Sequence, residues 1–237
     1  MIPIKAVIAS NRFGLGARPG ELARYADQQA WLLDQLQGPS RTPQELTDLP
    51  DTASQLVRVQ DLRRERRAAR KAAQDNTKAY ARFVREAYIE QTAARYRHAA
   101  STDLPFHERL VHFWSNHFAV SADKQPLPAI AGLMENEAIR PNVSNKFVDL
   151  LMSVEKHPAM IVYLDNQRSI GPNSTLGKRA NRRHSDQEFG LNENLAREIL
   201  ELHTLGVDGG YTQQDVTSFA KVLTGWSIGG ASDRGRF

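Results

Sequence analysis

The chain has 237 residues, 41% hydrophobic and 24% charged, with a formal net charge of +4. That length and balance describe a folded globular chain with one sizeable core and exclude a disordered one. Without cysteine there is no disulfide, no thiolate metal site and no thiol nucleophile.

Strand signals are nearly absent and helix punctuation recurs throughout. The expected fold is therefore all-α: an irregular multi-helix bundle with long loops and little or no strand, in a single domain over 1–237. The opening Met1-Ile-Pro-Ile-Lys-Ala-Val-Ile-Ala-Ser lacks the length and basic flank of a signal sequence, and no apolar run approaches a membrane span. A cytoplasmic location is the default expectation. Pro19 stands at a first helical position, followed by Leu22, Tyr25, Ala26, Trp31, Leu32 and Leu36, with Gly38-Pro39 as a stop. Thr42-Pro43-Gln44-Glu45 fits a capping box.

Between residues 51 and 104 there is neither Gly nor Pro, which predicts one or two long helices with a break near Asp75-Asn76-Thr77. Residues 51–100 hold twelve Lys or Arg against six Asp or Glu, so the basicity sits in one place, mainly Arg63, Arg64, Arg66, Arg67, Arg70 and Lys71. We read 51–75 as a protruding, solvated basic helical arm. No recognition motif surrounds it, so nucleic acid is not the expected partner. Beyond it, Tyr80, Phe83, Val84, Ala87 and Tyr88 form an apolar face that packs.

Further helices are expected over 105–118, 128–138, 144–156 and 158–164. A long loop follows over 165–190, with a basic cluster at Lys178, Arg179, Arg182 and Arg183. The last two helices are the best punctuated. Gly206 suits a left-handed C-cap after the 192–205 helix, Asp208-Gly209-Gly210 makes a turn, and Thr212 with Asp215 caps the final helix.

Two helices carry polar residues beside an apolar stripe. On 105–118, at about 100° per residue, His117 falls roughly 20° from Leu110, beneath Phe113 and Trp114. His112 faces solvent and Asn116 lies at the margin. His117 fits a core histidine donating to a carbonyl, and it fits a ligand or acid–base imidazole. On 192–205 the expected stripe is Leu191, Leu195, Ile199 and Leu202, while Glu193, Arg197 and Glu201 form an i, i+4 ion-pair ladder.

Candidate catalytic residues are therefore His117, Glu198 and His203, and candidate binding residues are Asn116, Asn194, Arg197 and Glu201. His117 and Glu198 are the candidate ligands of a divalent metal across the two helices, since imidazole with carboxylate suits zinc, manganese or iron. The competing reading is a buried polar network that locks the helices together. No nucleophile elbow or Walker loop occurs, and Asn11-Arg12-Phe13-Gly14-Leu15-Gly16 lacks the third glycine of a dinucleotide fingerprint.

Several segments follow one another in a distinctive order. They are Asn11 to Gly16, Trp31-Leu32 with Gln35-Leu36, Phe113-Trp114-Ser115-Asn116-His117-Phe118, and Pro158-Ala159-Met160 with Tyr163-Leu164-Asp165-Asn166. Asn192-Glu193-Asn194-Leu195-Ala196-Arg197-Glu198, Glu201-Leu202-His203-Thr204-Leu205-Gly206, Gly209-Gly210-Tyr211-Thr212 and Leu223-Thr224-Gly225-Trp226 complete the series. In them the chain resembles the bacterial family catalogued as domain of unknown function 1800. The resemblance implies a mostly helical protein, often exported and often encoded beside a sulfatase-like family, with no assigned activity. Many members carry histidine where Ser115 stands here, and the family domain continues past Thr224-Gly225-Trp226, which implies that this chain is its N-terminal part. Two functions are thus in view. One is an uncharacterised enzyme or metal-binding protein with a site between the 105–118 and 192–205 helices. The other is a non-catalytic partner of the exported sulfatase-like protein, docking through 58–71 and 165–190.

Overall fold

The computed structural model describes residues 3–24, 27–36, 42–72, 77–171, 173–175, 177–178 and 190–229. Every regular element among them is helical and none is a strand. The helices are α1 Ile4–Phe13, α2 Gln28–Asp34, α3 Gln44–Thr47, α4 Thr52–Lys71, α5 Thr77–Ser101 and α6 Pro105–His117. They continue with α7 Ala131–Met134, α8 Phe147–Glu155, α9 Pro158–Tyr163, α10 Asn194–Glu198 and α11 Gln213–Leu223. Two π-helical segments, Glu135–Ile139 and Ile199–Thr204, prolong α7 and α10. Among the described residues no helix is long and apolar enough to cross a membrane.

The longest helix, α5, organises the bundle. Tyr80, Val84, Ala87, Gln91, Ala94 and His98 are buried along it, alternating steps of four and three residues as one helix face requires. The lower part of that stripe is apolar and packs on Leu56, Val59 and Leu62 of α4. Its upper part is polar. Gln91 Nε2 donates to the Ala129 carbonyl at 2.8 Å, and His98 meets carboxylates on two other elements. In the arm expected over 51–75, Thr52, Gln55, Leu56, Val59 and Leu62 pack on one face, while Arg58 and most of the basic residues from Arg63 on are exposed. The expected break at Asp75-Asn76 and most of the basic cluster of the 165–190 loop lie outside the described residues.

Capping chemistry held at the end of the chain and failed near its start. Thr212 and Asp215 form a reciprocal capping box at the start of α11, and Gly206 adopts φ +89° after the second π segment. At α3, by contrast, Pro43 occupies the cap with no side-chain bond, so the Thr42–Glu45 box is absent. Pro19 sits in a turn ahead of the short 3₁₀ segment Glu21–Arg24 rather than opening a helix.

The second π segment corrects the expected core stripe of the 192–205 helix. An α-helix through residue 205 would bury Leu202 and leave His203 on a flank. Instead Leu202 is exposed and His203 is buried. The cause is the wider i→i+5 turn, seen in the Leu205 N–H bond to the Leu200 carbonyl (3.0 Å), which lowers the rotation per residue to about 80°. Counting from Ile199 at that pitch swings His203 into line with Leu195 and turns Leu202 outward. Replacement should discriminate the two registers: Leu195→Ala costs roughly 2–5 kcal/mol of unfolding free energy, whereas Leu202→Ser stays within about 0.5 kcal/mol. Denaturant titration of both variants checks this; a large loss for Leu202→Ser would restore the unbroken α-helix.

Candidate functional site

Buried charge gathers in two places on opposite sides of α6. The first lies between α5, α6 and the first π segment. Glu108 accepts from both terminal nitrogens of Arg140, one of them at 3.0 Å, and His98 Nε2 and His112 Nε2 each stand 3.2 Å from its carboxylate. Glu135 accepts from Arg95 Nε at 2.7 Å and from the Ser115 hydroxyl at 2.8 Å, and Arg140 reaches it at 3.4 Å. One ligand atom from each of Glu108, His112 and Glu135 lies within 4.8 Å of the others, a spacing that suits a cation. Two guanidinium groups already neutralise the two carboxylates, however, and an added cation would have to displace them. The arrangement is an ion-pair network that joins three helices. His157 is used in the same structural way. It accepts from Ala159 N–H through Nδ1 (3.1 Å), so Nε2 carries the proton and faces Glu137 at 3.2 Å and Thr52 at 3.3 Å.

The second cluster is held by a single ion pair. Glu155, the last residue of α8, is 2% exposed, and Nδ1 of the 5% exposed His203 stands 2.7 Å from its Oε1. The angles of this ionic contact are not those of a hydrogen bond: neither Glu155 oxygen, nor His203 Nδ1, has a hydrogen-bond partner among the described residues. Burial pushes the Glu155 carboxyl above its ordinary value, opposed by His203 and His117 and reinforced by the charge of Glu198. The ring of His117 packs edge-on against Phe118 and lies 5.9 Å from that of His203. Its Nε2 is 3.3 Å from the His203 carbonyl, which can only accept, so Nδ1 is left as the lone-pair nitrogen. Glu198 is half-buried with no hydrogen bond or ion pair among the described residues.

The sequence candidates divide accordingly. His117, His203 and Glu198 belong to the second cluster. Arg197 is spent on Glu193 (3.2 Å), Glu201 (3.1 Å) and Gln213 (2.8 Å), the expected surface ladder, while Asn116 and Asn194 are exposed. Two expectations on α6 are corrected. His117 is half-buried at the helix end rather than central to the buried face, and His112 turns inward to Glu108, because the deeply buried positions are His107, Glu108 and Val111 instead of Leu110. Glu155, Glu108, Glu135 and Arg140 escaped sequence reasoning. For Glu155 a signal existed: it closes the apolar run Leu150-Leu151-Met152-Ser153-Val154 at helical spacing from Leu151 and Met152.

Residues 8–237 match the model of the family described as protein of unknown function, DUF1800. The chain belongs to that family. No curated protein and no solved structure matches it. Much of what marks this DUF1800 chain in sequence is architectural. Asn166 Nδ2 donates to the carbonyls of Leu223 (3.1 Å) and Trp226 (3.0 Å), and Asn192 Nδ2 donates to those of Leu164 and Asp165, both at 3.2 Å. These amides tie the segment after α9 to the ends of α10 and α11. The Glu155–His203–His117 cluster is the part such stapling does not explain.

The compensated network makes a definite pH dependence. Arg140, His112 and His98 hold Glu108 well below its ordinary value of 4.5 against the opposing effect of burial, so its contribution is complete above that value and is lost as the pH falls. His98 is shifted the other way: burial opposes its charge, but Glu108 and Glu45 raise it above 6.5, so its contribution is present below 6.5 and lost as the pH rises through the raised value. Unfolding free energy should therefore fall below about pH 4.5, with a shallower slope in Glu108→Gln. Arg140→Met, which strands Glu108, should cost roughly 3–5 kcal/mol at pH 7. Denaturant titrations across pH test both, and a neutral Arg140→Met would remove the network from the core of the bundle.

Proposed function

We propose that the protein binds a divalent metal ion, or an equivalent cationic centre, between α6, α8 and the second π segment. Glu155 and His203 are the inner ligands, with His117 and Glu198 beside them but without a third donor atom of the described residues within 4.8 Å of both, so water would fill the remaining positions. One observation carries this reading: a carboxylate 2% exposed to solvent with neither oxygen hydrogen-bonded. Such a group costs several kcal/mol unless something compensates it, and buried groups left in that state concentrate where a ligand or a reaction uses them. The donor types favour zinc, manganese or iron. Two donors held about 2.0–2.2 Å from one tetrahedral ion lie roughly 3.4 Å apart. The Glu155–His203 contact of 2.7 Å is shorter, so the two side chains would part by several tenths of an ångström around an ion. The π turn adds support, since such turns occur frequently at functional sites.

A cation held there would lower the pKa of its water and polarise a carbonyl or phosphoryl oxygen, chemistry that suits hydrolysis. Glu198, half-buried and unpaired, is the group placed to take the proton. A second reading, assembly with an exported sulfatase-like protein, draws on the exposed basic half of α4. Elemental analysis of purified protein should find close to one equivalent of metal per chain, and His203→Ala should weaken metal binding at least tenfold while keeping the helical circular dichroism. A chain that binds none of the three metals at micromolar concentration, yet is captured by the sulfatase-like neighbour, would favour the second reading.

A further inference from the structure

On the Glu108 side of α6 the surface opens into a cleft of about 270 Å³ between α5, α6 and the first π segment. Four side chains of α5 line it: Tyr88, Thr92, Arg95 and Tyr96. At about 100° per residue these positions share an arc of roughly 100°, so a single helix face is turned to the cleft. Val120 and Ala131, both half-buried, give it an apolar side, and Ser115 and the buried Glu135 belong to its lining.

Arg95 is only partly used by the ion-pair network. Its Nε donates to Glu135 at 2.7 Å, which fixes the plane of the guanidinium. Among the described residues its two terminal nitrogens make no hydrogen bond, and the side chain is 34% exposed. With Nε spent, the edge between the terminal nitrogens remains, and such an edge grips a carboxylate with two parallel bonds. The hydroxyls of Tyr88, Thr92 and Tyr96 also make no hydrogen bond among the described residues. Tyr88 and Tyr96 are 44% and 65% exposed and stand two turns apart, about 12 Å along the axis, with Thr92 between them. That span holds one small ring with its carboxylate.

We infer that this cleft binds a small aryl carboxylate, its carboxylate on the terminal edge of Arg95 and its ring along Thr92 between Tyr88 and Tyr96. The site does not draw on the proposed metal centre, which lies on the other side of α6. Charge selects a monoanion. Arg95 is the sole cation among the described residues that line the cleft, and Glu135 already stands against it. A doubly charged phosphate would bring a second negative charge beside Glu135 with no further cation to meet it. A neutral sugar would leave the guanidinium edge without an anion. Acetate would satisfy Arg95 and leave the tyrosine rings uncovered, forgoing the energy that comes with apolar area and aromatic contact.

Benzoate, acetate, benzamide and inorganic phosphate are titrated into the full chain and followed by isotope-edited NMR shifts. The expected result is saturable benzoate binding with a dissociation constant at or below about 10 mM, the range that a ligand of this size reaches. Acetate and benzamide bind at least fivefold more weakly. Arg95→Gln weakens benzoate at least tenfold and leaves benzamide unchanged, and Arg95→Lys, which keeps the charge without the flat edge, falls between. The Tyr88→Ala, Tyr96→Ala double variant brings benzoate to the level of acetate while acetate itself is unaffected. Both tyrosines are on the surface, so this variant decides the matter if Arg95→Gln fails to fold by circular dichroism. A wild type that binds no benzoate at that concentration would overturn the inference, as would benzoate binding untouched by either change. Benzamide as tight as benzoate would remove the role of Arg95, and phosphate tighter than benzoate would give the cleft to a phosphate ester instead.

Discussion

Glu108 and Arg140 face each other in the interior of the bundle, each with a side chain 1% exposed. Charges so placed are held by their mutual contact, and the contact dictates the rotation of α6. With Glu108 and Val111 turned inward, His112 and Ser115 follow on the same face, His112 Nε2 as an ionic neighbour 3.2 Å from Glu108 and Ser115 as a donor to Glu135. His117 then lies about half a turn around the helix from Glu108, on the side that also carries Phe113. The rotation that satisfies one polar cluster thus delivers an imidazole to the other. Gln91 and His98 on α5 belong to the same constraint, because the stripe that packs α4 becomes polar where α6 and the first π segment arrive.

The two clusters differ in how burial is offset. At Glu108 every carboxylate oxygen has a cationic or imidazole neighbour, and the network is worth most to specificity and rigidity. At Glu155 the neighbours are an imidazole in misaligned contact, a second imidazole and another acid. A bundle of this size has ample apolar side chains to fill that position, so a carboxylate without hydrogen bonds there marks something beyond packing. The π turn that carries His203 is part of the same departure, since it exchanges a leucine for a histidine at the buried register.

How much of this was legible in the residues depended on local chemistry. The all-α class, the cap at Thr212 and Asp215, the Gly206 stop and the ladder around Arg197 follow from spacing and side-chain type, and each is present. His117, His203 and Glu198 were visible as polar residues near apolar stripes. Their convergence on Glu155 was not, because it depends on which helices pack side by side. The wheel for α6 centred on Leu110 went wrong for a related reason: a buried ion pair makes a charged face the inner one, and a hydrophobicity pattern points away from it. No pattern in the chain announces a π turn, so the exchange of Leu202 for His203 appears only in three dimensions. The Thr42–Glu45 box failed because Pro43 itself took the cap position.

Equilibrium unfolding of the metal-free Glu155→Gln chain, measured beside Glu108→Gln at pH 7, probes the contrast between the clusters most directly. Removing the charge at Glu108 breaks a compensated pair and should cost roughly 3–5 kcal/mol. Removing it at Glu155 should leave stability unchanged or raise it, since burial there is opposed only by the misaligned His203 contact and the more distant His117. A loss at Glu155 as large as that at Glu108 would contradict this, because it would mean that the carboxylate is already satisfied by the fold.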